Sequence, residues 1–325
     1  MYDIIIIGAG PAGISMAVEA VNSGIEKNKI LILEKAAEHS FTIKKYYPDN
    51  KLVAANYKGF EAACTGVMCM TDSSKQETIS FLDKTIEDYK LKVNYDEVVY
   101  KIHHKKDENK FIVSTDRNIY ESKIVVIAVG ILGKPNKPEY KIPASLNSVI
   151  HFDVTSKEIF NSNTLVVGGG DSASEYCQYL VQKNNNVTLS YRKSEFKRMN
   201  EINKQSLLKL SDDNKINLLL ESEIISIGDE SGKPKVIFKD DTTKMFDNVV
   251  YALGGSTPEN FLKLIGIEFD GPNPSLKEGY ETNIPGLFLT GDLSAGKKGG
   301  SIIWAFNSSN TAMKRICENY LECNI

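Results

Sequence analysis

Two glycine-rich segments of this chain have the residue spacing of a phosphate-binding turn. Residues 8–13 are Gly-Ala-Gly-Pro-Ala-Gly, and residues 168–173 are Gly-Gly-Gly-Asp-Ser-Ala. Each segment follows a short apolar run typical of a buried strand and precedes apolar residues at helical spacing. Each therefore predicts a dinucleotide site, and the alternative is a glycine-rich turn in an ordinary βαβ unit.

The glycine positions have separate physical roles in such a strand–turn–helix unit. Gly8 permits the tight turn, Gly10 lets the backbone approach a pyrophosphate, and Gly13 lets helix and strand pack closely. The helix N-terminus then faces the phosphate charge. In the second segment Ala173 takes the third position, which this fingerprint permits.

The two segments differ in the charge that follows their second strand. The apolar run 30–33 ends at Glu34, whose carboxylate can accept a hydrogen bond from a ribose 2′-hydroxyl. The strand predicted at 187–191 leads instead into Arg192 and Lys193, with Lys197 one turn further on. Because cations accommodate a 2′-phosphate, the second site is predicted to prefer NADPH and the first to hold FAD or NAD. The alternative for the basic cluster is a solvated face.

The chain contains a divergent internal repeat. A glycine segment, a helix, a strand, a small β-meander and a strand ending in Ala-x-Gly occur twice, with the last element at 128–130 and again at 252–254. The repeat predicts an α/β protein with two Rossmann-like, three-layer ββα domains, the second inserted in the first. The expected domains are residues 1–130 with 255–325, and residues 131–254. One protein holding two dinucleotides most simply transfers electrons between them.

Other elements can be placed from local signals. Residues 73–90 are predicted to be a helix, since Ser73 or Ser74 can cap it and Glu77 can complete a capping box. A final helix is expected from about Ser301 to Tyr320. Residues 38–72 have no sustained period and are predicted to be a long loop, in which Tyr47 could wall a flat ring system or pack on the surface.

Composition excludes several classes of function. The net charge of −3 gives no basic footprint for nucleic acid, and we expect no membrane insertion because no apolar run is long enough to span a bilayer. Five cysteines, an odd number, favour a reducing compartment, the cytoplasm, over a disulfide framework. The four histidines have no metal-ligand spacing, so no metal site is expected.

The whole chain resembles low-molecular-weight thioredoxin-reductase-like flavoproteins. The matching segments are residues 8–13 with 33–35, 127–130, 166–176, 191–198, 252–261 and 281–296. The resemblance implies that the first domain binds FAD and the second binds NADPH, with no catalytic side chain because the flavin carries the chemistry. The residues that it assigns to FAD are Gly8, Gly10, Ala12, Gly13, Glu34, Lys35 and Asp292. Further candidates for binding this cofactor are Pro11, Tyr47, Val98 and Ile302. Those assigned to NADPH are Gly168, Gly170, Asp171, Ser172, Ala173, Arg192, Lys193 and Lys197.

The chain departs from this family at its reactive cysteines. Thioredoxin reductases carry Cys-x-x-Cys shortly before the second glycine segment, whereas residues 147–163 contain no cysteine. The pattern is closer to ferredoxin–NADP reductases of this type and to bacillithiol-disulfide reductases, whose cysteine in the first glycine segment corresponds to Ala12. Cys64 and Cys69 are the remaining dithiol candidate, although a loop or buried-thiol role is the simpler interpretation.

These observations lead to three functional hypotheses. The first is an NADPH-dependent FAD oxidoreductase that passes electrons to an external acceptor: a ferredoxin, flavodoxin, quinone or small disulfide. The second is a disulfide reductase acting through Cys64 and Cys69. The third is a redox- or nucleotide-sensing module without turnover. Resemblance to the family also suggests a homodimer.

Overall fold

The computed structural model describes residues 1–49, 51–55, 63–131, 135–197, 199, 201–254, 258–296 and 300–323, apart from the side chain of Ile202. The chain divides into two compact units. Unit 1 comprises Met1–Lys44, Leu52–Gly133 and Ser256–Ile325, and unit 2 comprises Lys45–Lys51 and Lys134–Gly255. Unit 2 thus includes residues 45–51, which sequence analysis had placed in the first domain.

The α-helices of the described residues are α1 (Pro11–Asn22), α2 (Phe41–Tyr46), α3 (Lys75–Tyr89), α4 (Asp171–Gln182), α5 (Glu201–Asp212), α6 (Glu259–Ile265) and α7 (Ile302–Asn319). Short 3₁₀ turns occur at Lys27–Lys29, Lys106–Glu108, Ala144–Leu146, Glu278–Tyr280 and Gly291–Ser294. None of the helices in the described part of the chain is both long and apolar enough to cross a membrane.

The strands of the first half are β1 (Tyr2–Ile7), β2 (Ile30–Leu33), β3 (Leu52–Val53), β4 (Ser73–Ser74), β5 (Val93–Asn94), β6 (Val99–Lys105), β7 (Lys110–Thr115) and β8 (Ile119–Ile127). Those that follow are β9 (Ile150–His151), β10 (Asn163–Val167), β11 (Asn186–Ser190), β12 (Ile216–Leu219), β13 (Ile224–Glu230), β14 (Lys233–Phe238), β15 (Thr243–Met245) and β16 (Asn248–Tyr251). The last are β17 (Phe269–Asp270), β18 (Asn273–Pro274) and β19 (Leu287–Leu289).

Unit 1 is built on a mixed sheet of order β5-β2-β1-β8-β7-β6, with β19 also paired to β8. Strands β5, β2, β1, β8 and β19 are parallel, whereas β6, β7 and the first half of β8 form an antiparallel meander. The isoleucines of β1 alternate between two cores: Ile4 and Ile6 pack on the side of α1 and α7, and Ile5 and Ile7 on the side of the meander. This is why all four residues of Ile4–Ile7 are apolar, since a central parallel strand is covered on both faces.

Unit 2 repeats this arrangement. Its parallel sheet has the order β12-β11-β10-β16-β9, and β13, β14 and β15 form a separate antiparallel sheet. Val166 packs with α4, whereas Leu165 packs on the opposite face with the antiparallel sheet. The prediction of two Rossmann-like, three-layer domains is confirmed.

Local predictions were confirmed at two helix starts and corrected elsewhere. Ser74 and Glu77 form the predicted capping box of α3, and the Ser301 side chain caps α7. The segment 38–72 is not a single loop, because it contains α2 and the strand β3. Helices α5 and α6 were also missed.

Candidate nucleotide-binding sites

The first glycine segment forms a tight turn between β1 and α1. Gly8 has φ of 105°, and a Cβ there would lie 2.6 Å from the carbonyl oxygen of Ala128. A Cβ on Gly13 would lie 1.9 Å from the carbonyl oxygen of Gly8. At Gly10, by contrast, a Cβ would meet no described atom within 4 Å. Packing therefore requires glycine at two positions, and the third leaves open space beside the helix N-terminus.

The start of α1 is suited to an anion. Gly10 is the N-cap and makes no side-chain capping bond, and Pro11 occupies the first helical turn. Proline is favoured there because its missing N–H would have no partner in the helix. The first turn carries no acidic residue. The remaining N–H groups of this turn can therefore bind a phosphate.

Glu34 is held at the mouth of the first turn. It is 8% exposed, its Oε2 accepts a hydrogen bond from Ala9 N at 2.7 Å, and its Oε1 accepts one from Ala36 N at 2.9 Å. These bonds fix the carboxylate while leaving each oxygen a second lone pair. Glu34 can therefore accept ribose hydroxyls. Lys35, its neighbour, is exposed.

In the structure Asp292 lies beside the same glycine turn, residues 8–13. A Cβ on the preceding Gly291 would lie 2.9 Å from the Ala12 side chain, so this 3₁₀ turn packs directly against α1. Asp292 Oδ1 accepts a hydrogen bond from Gly300 N at 2.8 Å. Burial nevertheless raises the pKa of the Asp292 carboxyl above its ordinary value.

The N-terminal end of α7 also lies beside the first glycine turn. Ile302, the first residue of α7, is 6% exposed, and Ser301 Oγ donates to the carbonyl oxygen of Ala55. Ser309 Oγ, two turns along, donates to the carbonyl oxygen of Ala12 at 2.8 Å. Helices α1 and α7 are thus joined at the level of the glycine turn.

Two predicted FAD residues have other contacts. Val98 follows Glu97, whose N–H donates to the carbonyl oxygen of Glu34, but the N–H of Val98 itself donates to Asp116 Oδ1 at 2.9 Å. Tyr47 belongs to unit 2, where its ring lies 4.3 Å from Lys51 Nζ. The assignment of both to a cofactor stays a prediction.

The second glycine segment has the same geometry as the first. Gly168 has φ of 154°, and a Cβ there would lie 2.5 Å from the carbonyl oxygen of Ala252. A Cβ on Gly170 would meet no described atom within 4 Å. Ala173, in the third position, is fully buried. The open space therefore lies again at the N-terminus of the following helix, α4, which begins with Asp171 and Ser172.

Two stacked aromatic rings lie in the loop that carries the cations predicted to bind a 2′-phosphate. The rings of Tyr191 and Phe196 stack with centroids 5.2 Å apart, and a Cβ on Gly169 would lie 2.1 Å from the Tyr191 ring. Gly169 therefore gives this ring room over the glycine turn. Sequence analysis missed this contact, because Gly169 stands at a variable position of the fingerprint.

The cations themselves are exposed. Arg192 and Lys193 follow β11 on the solvent side, and Lys197 forms an ion pair of 2.8 Å with Glu195. Arg198, which continues the cluster in the sequence, lies outside the described residues. Exposed cations at the end of the second strand can meet a 2′-phosphate without a prior desolvation cost.

A buried ion pair at α4 was not predicted. Lys51 Nζ lies 2.5 Å from Glu175 Oε2, and the two side chains are 14% and 9% exposed. Asn203 Nδ2 donates to Glu175 Oε1 at 3.2 Å and to Asp171 Oδ1 at 3.3 Å. Burial by itself lowers the pKa of Lys51, but Tyr47 and Glu175 outweigh it, so that this pKa is raised. The segment 45–51 thus contributes a cation beside the second glycine turn.

The expectation of unpaired cysteines was wrong. Cys64 and Cys69 form a disulfide, as do Cys317 and Cys323, with Cα atoms 5.7 Å and 5.4 Å apart. An odd total does not preclude pairing, and each pair is close in sequence. Cys177 is the free cysteine among the described residues; it is fully buried, and burial raises the pKa of its thiol. Within the described ranges, no cluster of His, Cys, Asp or Glu has the arrangement of a metal site.

Comparison with known proteins agrees with this geometry. The family model described as pyridine nucleotide-disulphide oxidoreductase matches residues 5–291. Ferredoxin–NADP reductase 2 of Shouchella clausii is 29% identical over 303 residues, which cover 90% of this chain and 86% of that protein. Bacilliredoxin reductase Bdr of Bacillus subtilis is 25% identical over 314 residues, covering 92% and 91%.

A solved structure shares the fold over nearly the whole chain. Bacillithiol disulfide reductase Bdr of Staphylococcus aureus has a TM-score of 0.82 at 22% identity, covering 98% of this chain and 99% of that one. At this identity the likeness establishes the fold alone. The family match, which includes both glycine segments, establishes that this chain belongs to the pyridine nucleotide-disulphide oxidoreductases and is an NAD(P)H-dependent flavin oxidoreductase.

Proposed function

We propose that this protein binds FAD in unit 1 and NADPH in unit 2 and passes electrons from NADPH to an external acceptor. The observation that carries the proposal is the contrast between two similar glycine turns. The first is followed by a buried acid, Glu34, and the second by exposed cations, Arg192 and Lys193. An acid suits an unmodified ribose, and cations suit a 2′-phosphate.

The residues of unit 1 fit FAD. The open side of Gly10 and the N-terminus of α1 would receive the pyrophosphate, and Glu34 would accept the ribose hydroxyls. Asp292, half-enclosed beside Ala12, would accept hydroxyls of the ribityl chain. When bound, the flavin supplies two-electron chemistry that no side chain of the protein can supply.

The residues of unit 2 fit NADPH. Gly170 and the N-terminus of α4 would receive its pyrophosphate, while Arg192 and Lys193 would pair with the 2′-phosphate. Asp171 and Glu175 bring two carboxylates into the first turns of α4. Lys51 compensates the second of them, so that the pyrophosphate meets less negative charge.

The acceptor classes that we propose are a ferredoxin or flavodoxin, a quinone and a small disulfide. Two relatives are named as a ferredoxin–NADP reductase and a bacilliredoxin reductase, which supports a redox protein or a disulfide as acceptor. The test is stopped-flow reoxidation of the NADPH-reduced holoprotein against one member of each class. Fast reoxidation by one of them identifies the acceptor. Reduction by NADPH with no turnover against any acceptor would instead favour a nucleotide-sensing module.

The cations after β11 are expected to set the nucleotide preference. Replacing both Arg192 and Lys193 with alanine should raise KM for NADPH about tenfold or more, because charge-assisted bonds to the 2′-phosphate are lost. KM for NADH should stay unchanged, since NADH lacks that phosphate. Steady-state kinetics with both nucleotides measure the two values.

Lys215→Ala is the matched control for this change. Lys215 is also an exposed cation, but it precedes β12 and so lies at the opposite end of the parallel sheet from Arg192. The Lys215→Ala variant should leave KM for NADPH and KM for NADH unchanged. An equal rise of KM for NADH and NADPH in the double variant would remove the proposed role of the cations.

A further inference from the structure

The loop 191–193, which carries the cations after β11, is joined by backbone hydrogen bonds to the loop that follows β12. Ser222 N donates to the carbonyl oxygen of Tyr191 at 3.0 Å. One residue earlier, Glu221 N donates to the carbonyl oxygen of Lys193 at 3.2 Å. The chain after β12 therefore runs directly beside the cations proposed to bind a 2′-phosphate.

A pair of serine hydroxyls holds these two loops together at their base. Ser190 is the last residue of β11 and is 1% exposed. Its Oγ donates to the carbonyl oxygen of Ser222 at 3.0 Å and lies 2.8 Å from Ser222 Oγ. Because a buried hydroxyl is costly to leave without a partner, these bonds fix the position of residues 221–223 relative to the cations.

The residue that follows Ser222 is an acid, Glu223, paired with a cation of β14's end. Lys239 Nζ donates to Glu223 Oε2 at 2.8 Å, and Lys239 N donates to the carbonyl oxygen of Glu223 at 2.8 Å. The Lys239 and Glu223 side chains are 72% and 45% exposed. The hydrogen bond from Lys239 holds the pKa of the Glu223 carboxyl below its ordinary value, and the Arg192 guanidinium acts in the same direction. Arg192 is therefore within electrostatic reach of Glu223.

From this arrangement we propose that Glu223 and Lys239 set how strongly the second site prefers a 2′-phosphate over a ribose hydroxyl. This role rests on the proposed binding of NADPH in unit 2. The Glu223 carboxylate repels a phosphate held by Arg192, and the Lys239 ammonium offsets that repulsion. Neither side chain has to touch the nucleotide, so this role differs from the direct pairing proposed for Arg192 and Lys193. The two charges largely cancel in the natural protein, and removing one should reveal the effect of the other.

The test measures the binding of two nucleotide fragments to the flavin-loaded, full-length protein by isothermal titration calorimetry. Adenosine 2′,5′-bisphosphate carries the 2′-phosphate and AMP does not, so the ratio of their dissociation constants isolates the contribution of that phosphate. Neither fragment can reduce a flavin, so the measurement does not depend on turnover. Lys239→Met should weaken binding of the bisphosphate about fivefold, and Glu223→Gln should strengthen it about threefold. Binding of AMP should stay unchanged in both variants.

A double variant separates the effect of charge from that of packing. Combining Glu223→Gln with Lys239→Met should return the affinity for the bisphosphate close to that of the natural protein, because no charge remains at either position. The effects of the single variants should also shrink when the salt concentration rises from about 0.05 M to about 0.5 M, since salt screens exposed charges. A loss that persists in the double variant and does not respond to salt would contradict an electrostatic role.

Lys235→Met is the matched control. Lys235 forms an exposed ion pair of 2.5 Å with Glu230, which lies in the same antiparallel sheet as Lys239's neighbours. Glu230 ends β13, whereas Glu223 precedes that strand, so the two acids are about 20 Å apart. The control should leave the ratio of the two dissociation constants unchanged.

The natural protein also reports on the proposed function itself. If it prefers the bisphosphate over AMP but Lys239→Met and Glu223→Gln leave that preference unchanged, the role of Glu223 and Lys239 is wrong and the assignment of NADPH to unit 2 stands. If the natural protein binds both fragments equally, the assignment of NADPH is wrong, and the role of Glu223 and Lys239 falls with it.

Discussion

Gly10→Ala is expected to weaken FAD binding about 100-fold while leaving the fold of unit 1 intact. Gly10 has φ of −81° and ψ of −177°, which alanine adopts readily, and a Cβ there meets no described atom within 4 Å. The methyl group would instead occupy space that the pyrophosphate needs at the N-terminus of α1. Loss of two charge-assisted hydrogen bonds of about 1.5 kcal/mol each accounts for this factor. Flavin fluorescence titration of the apoprotein measures the dissociation constant.

Gly170→Ala is the matched control for this prediction. Gly170 holds the equivalent place in the second turn, with φ of −110° and equally open space around its Cβ. In direct binding assays, Gly170→Ala should weaken NADPH binding by a similar factor and leave FAD binding unchanged. Gly10→Ala should weaken FAD binding and leave NADPH binding unchanged. If either variant impaired both nucleotides equally, the assignment of one nucleotide to each unit would be wrong.

Lys51→Met is expected to destabilise unit 2 by about 3 kcal/mol, because it leaves Glu175 buried without its cation. Asn203 Nδ2 still donates to Glu175 Oε1, but this neutral donor cannot balance the charge of a side chain that is only 9% exposed. For a unit of this size the loss corresponds to a fall in Tm of about 10 °C. NADPH binding should weaken as well, because the uncompensated carboxylate lies in α4. Differential scanning calorimetry and nucleotide titration measure the two effects.

Two further variants separate the ion pair from general effects of losing a lysine. Combining Lys51→Met with Glu175→Gln should recover most of the lost stability, since no buried charge remains. Lys233→Met, which breaks a pair whose side chains are 59% and 36% exposed, should lower Tm by no more than about 2 °C. An unchanged Tm for Lys51→Met would show that the pair adds nothing to stability.

The pH dependence of this contribution follows from the direction of the pKa shift. The pKa of Lys51 is raised in the folded protein, so its contribution is fully present at pH values below the ordinary lysine pKa. It is lost only as the pH rises through the higher folded value. The difference in Tm between the natural protein and Lys51→Met should therefore stay constant across neutral pH and shrink only in strongly alkaline buffer.

The sequence predicts the fold where the signal is local and repeated. The apolar run of β1, the glycine turns and the Ser74–Glu77 capping box each depend on a few neighbouring residues, and all were recognised. Helix α5 was missed because its apolar stripe is narrow: Leu207 is fully buried, but Leu208 is 39% exposed. Helix α6 has only seven residues and ends at Gly266, so its periodicity is too short to recognise.

Candidate site residues could be predicted from the sequence only where they lie next to a recognisable strand or glycine segment. Glu34 and Arg192 could be named as candidates because each occurs directly after a recognisable strand. Lys51 reaches Glu175 across 124 positions, and no local pattern reports such a distant pair. The loop that carries Cys64 and Cys69 is likewise held by Glu19 and Asn307, which lie 48 and 242 positions from the residues that they bind.

The most direct test of the central claim is an anaerobic titration of the FAD-loaded protein with NADPH, followed by flavin absorbance. If unit 2 binds NADPH and unit 1 binds FAD as proposed, the flavin band should bleach fully at one NADPH per FAD, because NADPH donates one hydride to the flavin. Protein that takes up no FAD, or whose bound flavin stays oxidised while NADPH is bound, would contradict it.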